Sequence, residues 1–345
     1  MYIGGIEHQE DQSSLGQALG PVLRRVCGGR LGEISWFRAT WQHGGAATGY
    51  STWRMGDGRE VECVVKLPVG YAEYFWTKRL GLVAEGEWDS DDAMTLPTPR
   101  VLAAGFELGG YDFAWIVMER LAGPPLASNP TSQGMWEIFE TAAEFHAAAI
   151  TEQPIEVERT PEPPDWASLI AKAQRVIEDN DLDSRERWKR VLDRAADMAP
   201  ELRAEWDARD IDTWCHLDLH GRNAMRRKSN DPEHPGHCVL IDLAMVRPGS
   251  WIEDALYLER LYWGHEEMLC GVDPVPALAR ARTFNGLPVG EGYERLADLR
   301  RVLMAASVPA FLGREGDQGY LEHALGCLER LLPAFEGGAS RPSVA

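Results

Sequence analysis

The chain has 345 residues, of which 44% are apolar and 26% charged, as expected for a globular protein of about two domains. Its 35 basic and 54 acidic residues give a net charge of −19, which argues against nucleic acid and anionic membranes as partners because both are bound through basic surfaces. The sequence has no apolar run of about 18 residues, no apolar leader and no CxxC pair among its six cysteines, so we expect a cytoplasmic protein with reduced thiols.

The first part of the chain predicts one helix followed by strands. Residues 13–27 have amphipathic helical spacing, with Ser13 or Ser14 as the N-cap. Strand-like runs follow at 34–41, 50–55 and 61–67, and Asp57-Gly58 is a hairpin signal between the last two. These runs predict a three-stranded antiparallel meander with a glycine-rich first turn.

The next segments predict a helix at 71–84, an exposed acidic loop at 85–94, and a second hairpin formed by VLAAGFE and FAWIVMERL around Gly109-Gly110. Residues 122–134 are rich in proline, glycine and serine and are typical of a linker. Helical spacing then dominates at 135–150, 166–180, 184–206, 252–269, 276–284, 292–311 and 319–335. A β-rich island at 223–228 and 237–242 interrupts it. The fold class is therefore α+β, with a β-rich N-terminal lobe (1–121), a mainly helical C-terminal lobe (122–335) and a disordered tail (336–345).

The residues that point to chemistry lie around this island. Asp218 is expected on a tight loop after a helix, Asn223 at the start of a hairpin strand, and Asp242 at the end of the return strand. Because a hairpin brings its two ends side by side, an amide oxygen and a carboxylate should converge there. Mg²⁺ prefers such oxygen ligands. Asp218 could accept a proton from a hydroxyl that attacks a phosphoryl group.

Phosphoryl transfer also requires positive charge on the other phosphates, and Lys66 in the apolar strand VVKLP is suited to supply it. A carboxylate on the following helix could hold this lysine, with Glu73 as the first choice and Glu85 as the second. In the glycine-rich turn, Gly44 and Gly45 would let the backbone approach a triphosphate closely.

Together these parts resemble the kinase-like fold, and specifically the aminoglycoside phosphotransferase family, over roughly residues 30–335. HLDLHGRN (216–223) is similar to the family's H-x-D-L-H-x-x-N loop, IDLA to its I-D-W/F-x segment, and VVKLP to its lysine-bearing strand. The resemblance implies a catalytic base at Asp218, Mg²⁺ ligands at Asn223 and Asp242, and a contact from Lys66 to the phosphates of ATP. It also implies that the backbone from Glu119 to Leu121 holds the adenine.

Three positions in the catalytic loop depart from related sequences. The family commonly has glycine at 217 and proline at 221, where this chain has Leu217 and Gly221. His220 stands where a protein kinase has a lysine, and either packing within the loop or a phosphate contact could explain it. Only eleven residues separate Asp242 from Asp254. This spacing leaves no room for a long activation segment, so a protein kinase is disfavoured.

The expected activity is ATP- and Mg²⁺-dependent phosphorylation of a hydroxyl on a small molecule, such as an aminoglycoside or another amino sugar or amino alcohol. Glu266, Glu267 and Asp273 fall where family members often bind the acceptor. The alternatives are a non-catalytic nucleotide-binding module and a kinase for a macrolide or a simple sugar.

Overall fold

The computed structural model describes residues 7–37, 46–156, 164–180, 182–228, 235–313 and 317–336. The chain forms two compact units, each assembled from separate segments. The first consists of Met1–Asn129, Thr141–Pro154 and His216–Arg247, and the second of Pro130–Glu140, Ile155–Cys215 and Pro248–Ala345. The first unit therefore combines the N-terminal strands with the loop and hairpin that carry the predicted catalytic residues. The lobe boundary between residues 121 and 122 stays a prediction.

A sheet of five antiparallel strands within the described residues forms the base of the first unit. The strands lie in the order β1-β2-β3-β5-β4 and span Ser35–Phe37 (β1), Ala47–Arg54 (β2), Glu60–Val69 (β3), Val101–Gly105 (β4) and Ala114–Glu119 (β5). The predicted meander and second hairpin are both confirmed. β2 begins three residues earlier than predicted and β3 continues two residues further.

The alternation of side chains along β3 explains which face of the sheet is packed. Cys63, Val65 and Leu67 are fully buried in a core cluster that also includes residues of α1 (Glu7–Val26), while Lys66 points to the opposite face. Lys66 pairs across the sheet with Thr48 on β2 and with Ile116 on β5. The strand thus holds a single ammonium group on the face that α1 does not cover.

Two segments of the first unit differ from the predictions. Helix α1 begins at Glu7, about two turns before the predicted serine cap. The acidic segment predicted to be an exposed loop contains a 3₁₀ turn at Glu85–Glu87 and the short helix α3 (Asp91–Met94). Within this segment Trp88 is buried, and the Ser90 hydroxyl caps α3 by accepting a hydrogen bond from the Ala93 N–H. The predicted helix before it is α2 (Tyr71–Gly81).

The segment that carries the predicted catalytic residues, 213–249, contains more strands than the sequence indicates. β7 (Ala224–Arg226) and β8 (Cys238–Leu240) form the predicted hairpin. Two further strands, β6 (Thr213–Cys215) and β9 (Arg247–Gly249), pair with each other. Each has only three residues, too few for a period-two pattern to stand out from the flanking helical sequence. As a result, the catalytic loop follows a strand and not, as predicted, a helix.

The helices that follow β5 largely match the predicted segments. They are α4 (Ser132–Glu152), α5 (Trp166–Asp179), α6 (Arg185–Asp207), α7 (Ile252–Leu261), α8 (Pro274–Phe284), α9 (Tyr293–Ser307) and α10 (Gln318–Leu331). α7 ends eight residues earlier than predicted, and a 3₁₀ turn at Glu266–Leu269 follows it. The break lies at Gly264, whose φ is +77° and whose Cα approaches the Gly319 backbone so closely that no Cβ would fit.

Across the described residues, no helix is both long and apolar enough to span a bilayer. All six cysteines lie within these ranges and none forms a disulfide.

Candidate active site

Lys66 and a carboxylate on α2 form a buried ion pair. The Lys66 ammonium donates a hydrogen bond to Glu73 in the first turn of α2, and the two side chains are 16% and 8% exposed. Glu85, the second choice from the sequence, instead pairs with Arg30 and accepts a hydrogen bond from the Gly56 N–H at 3.1 Å. The structure therefore brings Glu73, and not Glu85, to the strand lysine.

The same ammonium also faces the end of the catalytic hairpin. Lys66 Nζ lies 3.8 Å from Asp242 Oδ1. Burial by itself would lower the pKa of Lys66, but the carboxylates of Glu73 and Asp242 outweigh it and the pKa of Lys66 is raised. The lysine thus stays charged beside two carboxylates. Asp242 adopts the left-handed conformation, with φ of +63°, and its side chain remains 45% exposed.

Asp218 and Asn223 are joined by hydrogen bonds within the catalytic loop. The Asn223 amide Nδ2 donates to Asp218 Oδ2 at 2.8 Å and to the Asp218 carbonyl at 3.0 Å. The Asn223 carbonyl accepts from the N–H of Ile241, the residue before Asp242, at 2.9 Å. The hairpin therefore brings Asn223 next to Asp242, and Asn223 Oδ1 is the oxygen that this amide can offer to a cation.

His216 connects the catalytic loop to the return strand of the hairpin. Its fully buried ring accepts the Asp218 N–H on Nδ1 at 3.3 Å, and Nε2 lies 3.1 Å from the Ile241 carbonyl. A ring nitrogen that accepts from an N–H carries no hydrogen, so we assign the hydrogen of the His216 ring to Nε2. That Nε2–H donates a hydrogen bond to the Ile241 carbonyl. His216 thereby holds the backbone at Asp218 against the residue that precedes Asp242.

The geometry accounts for the unusual residues at 217 and 221. Leu217 has φ of +59°, a left-handed conformation in which glycine is favoured, so the leucine adopts it at a steric cost. Gly221 accepts the Ala127 N–H at 2.9 Å, and a Cβ on Gly221 would lie 3.0 Å from that nitrogen. A side chain at 221 would therefore crowd the backbone at Ala127.

A buried charge network that the sequence did not indicate supports the hairpin. Arg227 on the turn side of β7 is 3% exposed, and its Nε donates to Glu119 Oε1 at 2.9 Å. Its other nitrogens donate to the carbonyls of Met94, Leu96 and Thr98 at 2.6–2.9 Å.

The other oxygen of the Glu119 carboxylate, Oε2, accepts from Arg100 Nε at 2.9 Å. The catalytic hairpin is therefore bound to the end of β5, where the adenine is predicted to lie.

Comparison with known proteins identifies the family. The family model described as "Phosphotransferase enzyme family" matches residues 86–299. The chain belongs to this family.

Among solved structures, a putative aminoglycoside phosphotransferase from Ralstonia eutropha JMP134 is 12% identical with a TM-score of 0.50, over 92% of this chain and 98% of that one. An aminoglycoside phosphotransferase from Alicyclobacillus acidocaldarius is 17% identical (TM-score 0.48, 89% and 92% covered). A choline kinase from Cryptosporidium parvum is 10% identical (TM-score 0.45, 95% and 95% covered). No curated protein matches.

The predicted family, the α+β kinase-like fold and the enzyme class are confirmed. The protein is a small-molecule kinase, a phosphotransferase with an alcohol group as acceptor.

The other predicted site residues of the phosphotransferase are two glycines of the first turn and three carboxylates of the second unit. Gly44 and Gly45 lie outside the described residues. In the second unit, Glu266 pairs with His323 and accepts the Gly264 N–H, and Glu267 lies near His265. Asp273 is the exposed N-cap residue of α8. Contacts from Glu266, Glu267 and Asp273 to the acceptor stay predictions.

The donor set of the phosphotransferase is suited to Mg²⁺. Within the described ranges, no group of three His, Cys, Asp or Glu side chains is arranged to hold a metal. Asn223 and Asp242 instead offer one amide oxygen and one carboxylate. Mg²⁺ is commonly held by one or two such protein oxygens, with water and substrate phosphates as its remaining ligands. The residues present therefore fit this cation.

Proposed function

We propose that this phosphotransferase transfers the γ-phosphate of ATP, in a Mg²⁺-dependent reaction, to a hydroxyl group of a small molecule. The observation that carries the proposal is the contact of Lys66 with both Glu73 and Asp242, because it joins the predicted phosphate-binding lysine to the predicted metal ligand. Asp242 directly follows Ile241, whose N–H donates a hydrogen bond to the Asn223 carbonyl. The Asn223 amide in turn donates a hydrogen bond to Asp218.

Each residue has a distinct role in the proposed reaction. Lys66, oriented by Glu73, binds the phosphates that are not transferred. Asn223 and Asp242 hold Mg²⁺, which when bound neutralises charge on the phosphates. The backbone from Glu119 to Leu121 holds the adenine, and the turn with Gly44 and Gly45 approaches the phosphates.

Asp218 orients the acceptor. The oxygen of the acceptor hydroxyl forms a bond to the γ-phosphorus while the bond from that phosphorus to the β,γ-bridging oxygen breaks, so that ADP leaves. The hydroxyl proton passes to the Asp218 carboxylate. Positioning and charge stabilisation supply most of the rate enhancement in such reactions.

The acceptor class is proposed from charge. Glu266, Glu267 and Asp273 would suit a cationic acceptor, either an aminoglycoside or another amino sugar or amino alcohol. Macrolides and simple sugars are the alternatives, and they would not need these carboxylates. The expected location is the cytoplasm, where free thiols such as these six persist.

The test is phosphate transfer from Mg-ATP to a panel of aminoglycosides, amino alcohols, macrolides and sugars, with products detected by the added phosphate mass. We expect a product with the natural chain and, since general base catalysis typically contributes 10²–10⁴-fold, a loss of at least about 100-fold in Asp218→Asn. Asp183→Asn, an exposed position before α6, is the matched control. Unchanged turnover in Asp218→Asn, or no binding of Mg-ATP to the natural chain, would contradict the proposal.

A further inference from the structure

His220 lies in the predicted catalytic loop, and both of its ring nitrogens lie close to atoms of that loop. Its Nδ1 accepts the backbone N–H of Arg222 at 3.1 Å and that of Asn223 at 3.2 Å. A nitrogen that accepts from two N–H groups carries no hydrogen of its own. The neutral ring therefore carries its proton on Nε2.

His220 Nε2 lies beside the carboxylate of Asp218, the predicted catalytic residue. His220 Nε2 lies 3.4 Å from Asp218 Oδ1, while Asp218 Oδ2 accepts from Asn223 at 2.8 Å. Asn223 thus donates to one carboxylate oxygen, and His220 Nε2 is the ring nitrogen beside the other. Contacts of this kind in an enzyme without its substrates are often long and shorten when the reacting complex forms.

The same contacts favour one of the two interpretations that the sequence left open for His220, which is packing within the loop. A phosphate contact would need a ring N–H that points out of the loop. In the neutral ring the one N–H is on Nε2, which lies 3.4 Å from Asp218 Oδ1, and the side chain is only 18% exposed. His220 therefore does not take the place of the lysine that a protein kinase has at this position.

We propose that His220 is a positioning residue for the catalytic carboxylate, acting through its Nε2–H on Asp218 Oδ1. Held on one oxygen by His220 and on the other by Asn223, the carboxylate cannot rotate about its terminal bond. Each oxygen keeps a second lone pair, and the fixed plane directs one of these at the acceptor hydroxyl.

This inference rests on the proposed role of Asp218, and two substitutions separate it from simple packing of the loop. In His220→Asn the amide oxygen can replace Nδ1 as the acceptor for the backbone, but no group reaches Asp218. In His220→Gln the amide nitrogen can replace Nε2 as the donor to Asp218, but the backbone acceptor is lost. Asn therefore preserves the loop contact, and Gln preserves the carboxylate contact.

The first experiment measures the tautomer of the His220 ring directly and does not depend on turnover. In the ¹⁵N spectrum of the full chain, His220 is assigned as the ring signal that disappears in His220→Asn. We expect the Nε2–H tautomer, with an Nε2 signal that shifts in Asp218→Asn. The Nδ1–H tautomer, or a signal that does not respond to Asp218→Asn, overturns the inference.

The second experiment measures release of phosphate from Mg-ATP with water as the acceptor, and unfolding in urea as a check on folding. We expect His220→Asn to unfold as the natural chain does. Its kcat should fall by about 10-fold or more, with the KM for ATP unchanged. We expect His220→Gln to recover most of that kcat. His237→Asn, a histidine paired with Glu144 outside this loop, should change neither parameter.

Two results separate this inference from the proposed function. In an Asp218→Asn background, His220→Asn should cause no further loss of kcat. When one residue acts through another, the effects of substituting both are not additive. A full additional loss, or a kcat of His220→Asn within twofold of the natural chain, overturns the role of His220 alone. Unchanged turnover in Asp218→Asn by itself instead overturns the proposed function.

Discussion

Arg227 and Glu119 are more than 100 residues apart in sequence, yet Arg227 Nε donates to Glu119 Oε1 at 2.9 Å in a buried pair. Three carbonyl groups of residues 94–98 accept hydrogen bonds from the Nη1 and Nη2 atoms of Arg227. In the first unit, this one guanidinium therefore joins the hairpin that carries Asn223 and Asp242 to the end of β5.

Arg227→Met should strongly destabilise the protein because it removes the donor shared by Glu119 and the three carbonyl groups. Removing one partner of a buried pair costs about 3–5 kcal/mol, and because Arg100 still binds Glu119 we expect about 3 kcal/mol. Unfolding in urea measures the change. Arg203→Met, at an exposed ion pair with Asp207, is the matched control and should change the free energy of unfolding by less than about 1 kcal/mol. Equal losses in the two variants would contradict a structural role for the buried network.

Asp242→Asn should remove the dependence of ATP binding on Mg²⁺. The substitution keeps the size of the side chain but replaces the charged ligand oxygen beside Lys66 with a neutral amide. Calorimetric titration with ATP, in Mg²⁺ and then in a chelator, should show at least a 10-fold difference for the natural chain and little for Asp242→Asn. Asp183→Asn again serves as the control, and a Mg²⁺ effect that survives Asp242→Asn would rule out Asp242 as a ligand.

Gly221→Ala should destabilise the catalytic loop because the new methyl group would lie 3.0–3.2 Å from Ala127. Extra atoms forced into a close-packed site typically cost about 1–3 kcal/mol. Gly86→Ala is the matched control, because a Cβ there meets no atom within 4 Å. Thermal unfolding compares the two, and a Gly221→Ala variant as stable as Gly86→Ala would show that Ala127 can move aside at little cost.

Glu329 and Arg187 should make stability depend on pH in the acid range. Hydrogen bonds from Arg187, at 2.6 and 3.0 Å, hold the pKa of Glu329 below its ordinary value. A carboxyl whose pKa is lowered on folding adds stability above its unfolded pKa, and that stability is lost as pH falls through the folded value.

The free energy of unfolding of the natural chain should thus exceed that of Glu329→Gln by up to about 1 kcal/mol near pH 7, because the pair is partly exposed. The difference should shrink as the pH falls below about 4.3. Urea unfolding across this range measures it, with the exposed Glu201→Gln as the control. A difference that stays constant with pH would mean that the charge of Glu329 makes no contribution.

Much of the fold and of the site could be predicted from the sequence, because both depend on local patterns. The alternation in β3 predicts one face buried and Lys66 on the other, and turn residues predict both hairpins of the sheet. The positions of Asn223 and Asp242 at the two ends of a hairpin predict that they converge, and the structure places them together. The motif HLDLHGRN (216–223) is contiguous, so the family could be identified from it directly, whereas the roles of its residues stay predictions.

The tertiary structure alone decided which distant groups meet. Spacing made Glu73 and Glu85 both possible partners for Lys66, but the path of α2 brings only Glu73 to it. No local pattern predicts the ion pair of Arg227 with Glu119, because the sequence does not distinguish a buried arginine from an exposed one. The orientation of His220 likewise depends on hydrogen bonds that form only once the loop is folded. Periodicity determines which face of an element is buried, whereas the pairing of charges depends on how those elements pack.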